Sequence, residues 1–251
     1  MSDALLRREL AELAQKLHAR GWVANHDGNV SVRLPGGGYL ATPTAVSKAD
    51  VNAEMLVVLD DDGKVVAGSR KVFSEFALHL AVYRARPDVR WVVHAHPPTA
   101  TGWAVAGRSF FDPPFMAEPV VSLGARIPVV PYAAPGTGTE SLAEAFSDVD
   151  AALLGGHGVL TCGADAELAY LRMELVEHLA KIALVAQQVG GAVGLPPGDV
   201  EKLLAARAKA GLGPNARSTD LGAGGYPPPA TPPGGPRPDL SALVRDALGR
   251  V

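Results

Sequence analysis

The stretch "VVHAHPP" constrains this chain most, because it sets two histidines into an apolar strand that Pro97 ends. Side chains alternate between the two faces of a strand, so His94 and His96 point to one side and Ala95 to the other. A buried imidazole without a polar partner is unfavourable, so the fold has to bring polar groups or a metal ion to this strand end. The spacing suits two nitrogen ligands of one metal ion, and two partly exposed histidines are the alternative.

Two other residues could complete a metal site with this pair. His157 lies in "LLGGHGVL", where it follows an apolar run and its flanking glycines allow close backbone approach. Glu75 lies in "KVFSEFALH" at the expected start of a helix, where it could instead complement the helix dipole. Three histidines and a carboxylate would suit zinc, manganese, iron or cobalt, although spacing alone does not bring them together. His79 follows Glu75 by four residues, so it lies on the same helical face and could orient the Glu75 side chain.

Short β-type runs alternate with helical runs, which predicts an α/β fold. Helices are expected over 3–20, 74–86, 98–107, 139–147 and 165–189, and strands within 29–34, 38–42, 55–60, 64–68, 90–96, 127–132 and 151–162. We expect Ser74 to cap the second helix and residues 110–119 to form a Pro-rich connection. The core face of the longest helix is predicted to carry Leu168, Leu171, Leu175, Leu179, Ile182 and Val185.

The composition excludes several kinds of partner. A net charge of −3 offers no electrostatic reason to bind nucleic acid or an anionic membrane, and no apolar stretch is long enough to span a bilayer. Cys162 is the only cysteine, so no intrachain disulfide can form. We therefore expect a buried thiol and a cytoplasmic protein.

The composition shifts after residue 210. Residues 1–210 are expected to form one domain, and residues 211–251 a Gly/Pro-rich tail that ends in a short helix. Such a tail is either a flexible linker or an ordered arm that lies across an active site or a neighbouring subunit.

The motifs "GNVSVR", "TPT", "SE", "HAHPP", "PY" and "HG" follow one another in the order typical of the class II aldolase/adducin family, which this chain resembles over roughly residues 5–190. The resemblance implies a three-layer α/β/α fold around a mainly antiparallel central sheet, with residues 1–210 as the catalytic domain. It also implies a homotetramer with active sites near the subunit interfaces.

The resemblance further implies one divalent metal per chain, with His94, His96 and His157 as ligands. Zinc is the first candidate, and manganese, iron and cobalt are the alternatives. Glu75 matches a family glutamate that acts as a metal ligand or as the catalytic base. The metal would stabilise the enediolate left when a carbon–carbon bond breaks, and the carboxylate would move protons at the adjacent carbon.

The expected substrate site departs from that of the sugar-phosphate members. Three of its positions match the family: Asn29, Thr44 and Ser74. His26 and Asp27 bring a negative charge into the loop where a phosphate would bind, and Ala45 replaces a glycine. Phe73 replaces the first of two serines. A phosphorylated sugar is therefore disfavoured, and a less charged substrate, with an aromatic acid as one option, is favoured.

Phe115 matches the position of an aldolase tyrosine that acts across the subunit interface as the acid for the leaving aldehyde. A phenyl ring cannot transfer a proton, so the acid would be Tyr132, Glu118 or Tyr226. An arginine is also expected to pair with a substrate carboxylate. The candidates are Arg33, Arg126 and Arg217.

These residues favour a divalent-metal-dependent carbon–carbon lyase that acts on a non-phosphorylated hydroxy- or oxo-acid by aldol cleavage or decarboxylation. The altered substrate site also fits a non-haem iron oxygenase of an aryl-pyruvate or mandelate-like acid. A third hypothesis is a non-catalytic, adducin-like interaction domain, but the complete ligand set favours an enzyme. The expected partner is a small-molecule substrate, with neither nucleic acid nor membrane involved.

Overall fold

The computed structural model describes residues 3–133, 137–214 and 238–249. Eight strands form one sheet: β1 Asn29–Arg33, β2 Tyr39–Ala41, β3 Val57–Leu59, β4 Val65–Ala67, β5 Trp91–Ala95, β6 Val129–Val130, β7 Ala151–Leu154 and β8 Gly158–Gly163. Their order across the sheet is β4-β3-β2-β1-β5-β8-β7-β6. All neighbouring strands are antiparallel except β6 and β7, which confirms the mainly antiparallel sheet.

Helices cover both faces of this sheet. They are α1 Asp3–Ala19, α2 Phe76–Ala85, α3 Pro98–Val105, α4 Ala117–Leu123, α5 Thr139–Ala145, α6 Ala166–Gln188, α7 Pro197–Lys209 and α8 Leu240–Leu248, with a short 3-10 helix at Ala53–Met55. One core holds buried side chains of α1, α3, α4, α6 and α7, and the other holds those of α2 and α5. The two cores confirm the three-layer α/β/α arrangement. None of the described helices could cross a membrane.

The alternation of side chains along the central strands assigns each residue to one core. In β1, Val30 enters the first core, which the side chains of α1, α3, α4, α6 and α7 form, whereas Ser31 faces α2. In β5, Val93 enters the first core and Val92 enters the α2/α5 core. His94 continues the alternation after Val93, so its ring lies on the α2 side of the sheet. The polar residues of both strands thereby face one helix.

The start of α2 differs from the prediction. Glu75, not Ser74, occupies the residue before the first helical one, and its side chain makes no capping hydrogen bond. The prediction of a Ser74 cap was therefore wrong. Because the carboxylate of Glu75 is not used to cap the helix, it is free to face the end of β5.

Two helices were not predicted. α4 begins inside the stretch that was expected to be a Pro-rich connection. Pro119 is compatible with this helix because it lies in the first turn, where a missing N–H group is tolerated. α7 begins with Pro197 at its first position, which is favourable for the same reason. α8 matches the short terminal helix that was expected. Residues 215–237 of the tail lie outside the described residues.

α6 turns a different face to the core from the one predicted. Of the six predicted residues Leu179 is fully buried, but Leu171 is 37% and Val185 60% exposed. The buried apolar residues are instead Ala169, Tyr170, Met173, Val176, Leu179, Ala180 and Ala183, together with Ala166. Apolar residues lie around most of this helix, so periodicity alone could not identify the face that the sheet covers.

A buried charge cluster fixes α7 to the sheet. The fully buried carboxylate of Asp150 pairs with Arg86 at 2.8 Å, with Arg172 at 2.5 Å, and with Arg207. Arg207 belongs to α7 and also donates a hydrogen bond to the carbonyl of Val121 in α4. The cluster therefore connects α7, which follows α6 in the chain, with Asp150, which immediately precedes β7. Cys162 lies buried beside it, as predicted.

Candidate metal centre

His94 and His96 meet at the carboxyl end of β5. Their Nε2 atoms lie 3.0 Å apart. The Nδ1 atom of His94 lies 2.9 Å from the carbonyl oxygen of Val159 in β8. Because a carbonyl oxygen only accepts hydrogen bonds, Nδ1 of the neutral ring carries the proton, and Nε2 keeps a free lone pair. The two rings of the "HAH" motif therefore face each other, as the strand alternation predicted.

His157 joins this pair from the turn between β7 and β8. Its ring centroid lies 4.5 Å from that of His94 and 5.0 Å from that of His96. One ligand nitrogen from each of the three histidines lies within 4.8 Å of the other two. Gly158 makes this approach possible, because a Cβ there would lie 2.5 Å from Cδ2 of His96 and 2.7 Å from the carbonyl oxygen of Ala95.

Glu75 completes the cluster from the start of α2. Its Oε1 lies 3.0 Å from Nε2 of His157, and its Oε2 lies 3.7 Å from Nε2 of His94. The side-chain amide of Asn29 donates a hydrogen bond of 2.9 Å to Oε2. Four residues that are distant in sequence, namely Asn29, Glu75, His94 and His157, thus surround one point at the edge of β5.

The ionisation states of these groups suit a metal. Burial lowers the pKa of His94 well below its ordinary value and also lowers the pKa of His96, so both rings are neutral near pH 7. Burial alone would raise the pKa of Glu75, but the hydrogen bond from His157 and the attraction of the neighbouring histidines lower it to about 2. The same hydrogen bond raises the pKa of His157. The carboxylate is therefore ionised.

The donor set fits a divalent cation. Neutral imidazole nitrogens with a carboxylate are the ligands that zinc and other first-row divalent metals accept. Histidines that bind metals usually donate their second N–H group to a carbonyl or carboxylate, and His94 makes this bond to Val159. The group of His94, His96 and His157 could therefore bind one metal ion, with Glu75 beside it.

A buried hydrogen-bonded chain lies behind Glu75. Nδ1 of the fully buried His79 lies 2.7 Å from the hydroxyl of Ser31, which lies 2.9 Å from the hydroxyl of Tyr83. Burial lowers the pKa of His79 to about 3, although the charge of Glu75 opposes the shift. Nε2 of His79 and Oδ1 of Asn29 are buried without a hydrogen-bond partner among the described residues. The sequence had indicated His79 only by its spacing from Glu75.

The loop before β1 brings Asp27 close to the histidines. Its Oδ2 lies 3.8 Å from Nδ1 of His96. His26 has an exposed side chain, and its carbonyl accepts a hydrogen bond of 3.0 Å from Nζ of Lys48. Lys48 was not identified from the sequence: it is 1% exposed and also donates to the carbonyl of Val46. A lysine in a polar loop is normally solvated, so no sequence signal marked this one as buried.

The "TPT" turn contains an alanine in a conformation that favours glycine. Ala45 adopts a left-handed backbone conformation with φ of 56°, which a glycine would adopt more easily. Thr44 and Ser74 both have exposed side chains. Of the two, Ser74 lines a cavity beside Glu75, and Thr44 does not.

Phe73 does not enter the substrate site, which corrects the interpretation of this residue. It is 7% exposed, and its ring packs against Phe76 at 5.8 Å and against His79 at 5.0 Å between ring centroids. The chain before α2 turns this side chain into the α2/α5 core. Its bulk therefore cannot be what excludes a phosphate.

Phe115 also packs against an aromatic neighbour. Its ring lies 5.2 Å from that of Phe111, and neither residue lines the cavity beside Glu75. Of the proposed acids, Tyr132 lines that cavity and is 74% exposed. Glu118 is exposed on α4, and Tyr226 lies outside the described residues.

Two of the three arginines suggested for a substrate carboxylate are engaged elsewhere. Arg33 donates to the carbonyl of Tyr83 and stacks on its ring. Arg126 pairs with Asp148 at an exposed position. Arg217 lies outside the described residues. Neither of the two described arginines lines the cavity beside Glu75.

A cavity of about 270 Å³ adjoins Glu75 and His157. It is bounded by the start of α2, the segment after β6, the start of α5 and the turn between β7 and β8. The described lining residues are Ser74, Glu75, Ala77, Leu78, Val130, Pro131, Tyr132, Ala133, Thr137, Gly138, Leu142, Leu154, Gly155, Gly156 and His157. The candidate metal site therefore opens directly into a space large enough for part of a small molecule.

Comparison with known proteins agrees with this geometry. The sequence model of the class II aldolase and adducin N-terminal domain matches residues 8–184. The chain is 34% identical over 185 residues to 3-oxo-tetronate 4-phosphate decarboxylase of Escherichia coli K12, which covers 72% of this chain and 86% of that protein. It is 33% identical over 182 residues to L-fuculose phosphate aldolase of the same strain, which covers 71% of this chain and 82% of that protein.

Solved structures show the same fold. The crystal structure of YgbL from Escherichia coli, described as an aldolase, epimerase or decarboxylase, superposes with a TM-score of 0.74 at 31% identity, covering 80% of this chain and 99% of that one. An L-fuculose 1-phosphate aldolase superposes with a TM-score of 0.74 at 29% identity, covering 82% of this chain and 96% of that one. The similarity thus extends over most of the described chain.

Proposed function

The chain belongs to the class II aldolase and adducin family, and we propose that it is a metal-dependent lyase that cleaves a carbon–carbon bond in a non-phosphorylated hydroxy- or oxo-acid. The observation that carries this proposal is the contact of Glu75 with both His157, at 3.0 Å, and Asn29, at 2.9 Å, beside the three converging histidines. A base and a cation site are thereby held next to each other. An interaction domain has no need for this arrangement.

His94, His96 and His157 would hold the metal, with zinc as our first candidate. A bound divalent cation polarises a carbonyl oxygen and stabilises the negative charge that develops there. The residues of the chain perform the remaining tasks. Asn29 orients Glu75, and the Val159 carbonyl orients His94. In an aldol cleavage, the ionised carboxylate of Glu75 would take the proton of the substrate hydroxyl as the carbon–carbon bond breaks and return it to the carbon that keeps the electron pair; in a decarboxylation, that carbon would take its proton from solvent.

Aldol cleavage and decarboxylation both fit this site, because each leaves the electron pair of the broken bond on a carbon next to a carbonyl group. The relatives include a decarboxylase and an aldolase, so both reactions occur on this scaffold. Decarboxylation of a 3-oxo acid is our first candidate, and aldol cleavage is the second. Tyr132, at the rim of the cavity, is our candidate for the group that would hydrogen-bond the oxygen of the departing aldehyde in an aldol cleavage.

The proposal that the substrate carries no phosphate rests on the charged side chains near the candidate metal site. Asp27 places a carboxylate 3.8 Å from His96, and the nearby Lys48 is buried with its ammonium group bonded to the carbonyls of His26 and Val46. Among the described residues that line the cavity, His157 is the only one that can carry a positive charge. A phosphate dianion would find little to balance its charge at these positions.

The test is metal analysis combined with an assay. Protein purified without a tag, in air and anaerobically, should contain about one zinc or manganese per chain, in keeping with the single site. It should release carbon dioxide or an aldehyde from members of a panel of 3-oxo and hydroxy acids, and a chelator should stop the reaction. If the protein contained iron and consumed oxygen with its substrate, the oxygenase hypothesis would be supported and the lyase proposal would be wrong. Protein that binds no metal after reconstitution would overturn the proposal.

We also propose a cytoplasmic homotetramer with active sites near the subunit interfaces. The outer face of α6 supports association, because Leu184 is 47% and Val185 60% exposed. The single buried Cys162 fits a reducing compartment. Light scattering of the purified protein would show a monomer if the proposed assembly is wrong.

A further inference from the structure

We propose that the cavity beside Glu75 and His157 binds an apolar side chain of the substrate, so that the substrate is a hydroxy- or oxo-acid with an alkyl or aryl group. This inference rests on the proposed function, since it assumes that the acid end of the molecule binds at the metal. It adds the chemical class of the remainder of the molecule.

The lining of the cavity is mostly apolar. Its walls come from four elements, and the apolar side chains are Ala77, Leu78, Val130, Pro131, Ala133, Leu142 and Leu154. The polar lining residues lie at its borders: Glu75 and His157 face the metal site, whereas Ser74, Thr137 and Tyr132 are exposed. This distribution suits a ligand that is polar at one end and apolar beyond it.

The volume sets the size of the group. A dry apolar cavity of about 150 Å³ is enough to hold benzene. The cavity here is about 270 Å³. A phenyl ring or a chain of about six carbons would therefore fit, whereas a methyl group would leave most of the space to water.

The shape of the cavity depends on close backbone packing that the fold maintains. A Cβ on Gly155 would lie 3.0 Å from the backbone nitrogen of Tyr132 and 3.1 Å from the carbonyl oxygen of Val130. The turn that carries His157 is thereby held against the segment after β6, and the two form one wall of the cavity. Because that wall contains the candidate ligand itself, a side chain in the cavity and an acid group at the metal can belong to one molecule.

Chain length provides the test. Binding of straight 2-hydroxy acids, from lactate to 2-hydroxyoctanoate, is measured by calorimetry on the zinc-loaded full-length protein. If the cavity receives the alkyl group, affinity rises about fourfold for each added methylene until the space is filled. A series with constant affinity would overturn the inference. So would 3-phosphoglycerate, used as a phosphorylated probe, if it bound more tightly than 2-hydroxyoctanoate.

A matched pair of variants locates the effect. Ala77→Phe fills the cavity from α2, and it should bring the ratio of 2-hydroxyoctanoate to lactate affinity down towards one. Ala205→Phe, at an exposed helical alanine in α7, should keep the wild-type ratio. Equal ratios in both variants would contradict the location. If the wild-type protein bound no zinc, the proposed function would be refuted instead. Failure of the proposed function can thus be distinguished from failure of this inference.

Discussion

The side-chain amide of Asn29 donates a hydrogen bond of 2.9 Å to Oε2 of Glu75, although 46 residues separate them in the sequence. The bond joins the first residue of β1 to the residue before α2. It leaves Oε1 to contact His157 at 3.0 Å. The two oxygens of the carboxylate thus have different partners, and the orientation of the group is determined.

Replacement of Asn29 should impair the reaction more than it impairs metal binding. Asn29→Ala removes the donor to Oε2, and kcat should fall about 10- to 100-fold because the carboxylate loses its orientation. Steady-state kinetics with metal analysis measures both quantities. Asn52→Ala is the control, since Asn52 caps the 3-10 helix and does not contact the site. Wild-type kcat in Asn29→Ala would show that the bond has no positioning role.

The roles of Glu75 and His157 should be separable. Glu75→Gln keeps the shape of the side chain but removes the base, so kcat should fall about 10²- to 10⁴-fold while three histidines still hold the metal. His157→Ala or His94→Ala should lose both metal and activity. Glu140→Gln, in the first turn of α5, is the matched control. Stoichiometric metal in either histidine variant would refute the ligand assignment.

Asp27 and Phe73 should respond differently to substitution. Asp27→Ala removes a half-exposed carboxylate near His96, and the affinity for inorganic phosphate should rise about three- to tenfold. Phe73→Ser should instead cost about 3–5 kcal/mol of stability, because the ring is buried in the core. Phosphate titration and urea unfolding measure the two effects. Asp62→Ala controls for net charge, and an equal gain in phosphate affinity there would refute the local explanation.

Loss of the central carboxylate should strongly destabilise the fold. Asp150→Asn removes the carboxylate that Arg86, Arg172 and Arg207 share, and although Arg86 keeps its pair with Asp88, the free energy of unfolding should fall by about 3–5 kcal/mol. The neighbouring Asp148 forms an exposed pair with Arg126, so Asp148→Asn should change stability by about 0–1 kcal/mol. Urea denaturation compares them. Similar losses in both variants would contradict the special role of the buried cluster.

Acid should destabilise the metal-free protein partly through His79. Burial lowers the pKa of His79 to about 3 in the folded state, whereas its pKa in the unfolded chain is about 6.5. Between these two pH values the unfolded chain binds a proton on this histidine and the folded chain does not. Stability therefore falls as the pH decreases from about 6.5 towards 3, by up to about 1.4 kcal/mol per pH unit for this group. His79→Gln should reduce that slope, and the exposed His178→Gln should not. An unchanged slope in His79→Gln would exclude this contribution.

Local patterns were sufficient for much of the fold. Alternating apolar residues and turn signals predicted each strand approximately, and the family motifs implied the antiparallel sheet that the structure confirms. The helices α4 and α7 escaped prediction because proline, which usually ends helices, lies in their first turns. The face of α6 was predicted wrongly because Leu171 and Val185 continue the apolar pattern on the exposed side.

Local sequence patterns identified most of the groups that could form the site. Strand alternation set His94 and His96 on one face, and the glycines beside His157 indicated a close approach. The three-dimensional structure was needed to show that Glu75 meets His157 and Asn29, that Phe73 turns into the core, and that Lys48 is buried. Periodicity and composition describe a segment's own faces. Which neighbour covers each face depends on long-range packing between segments that are far apart in the chain.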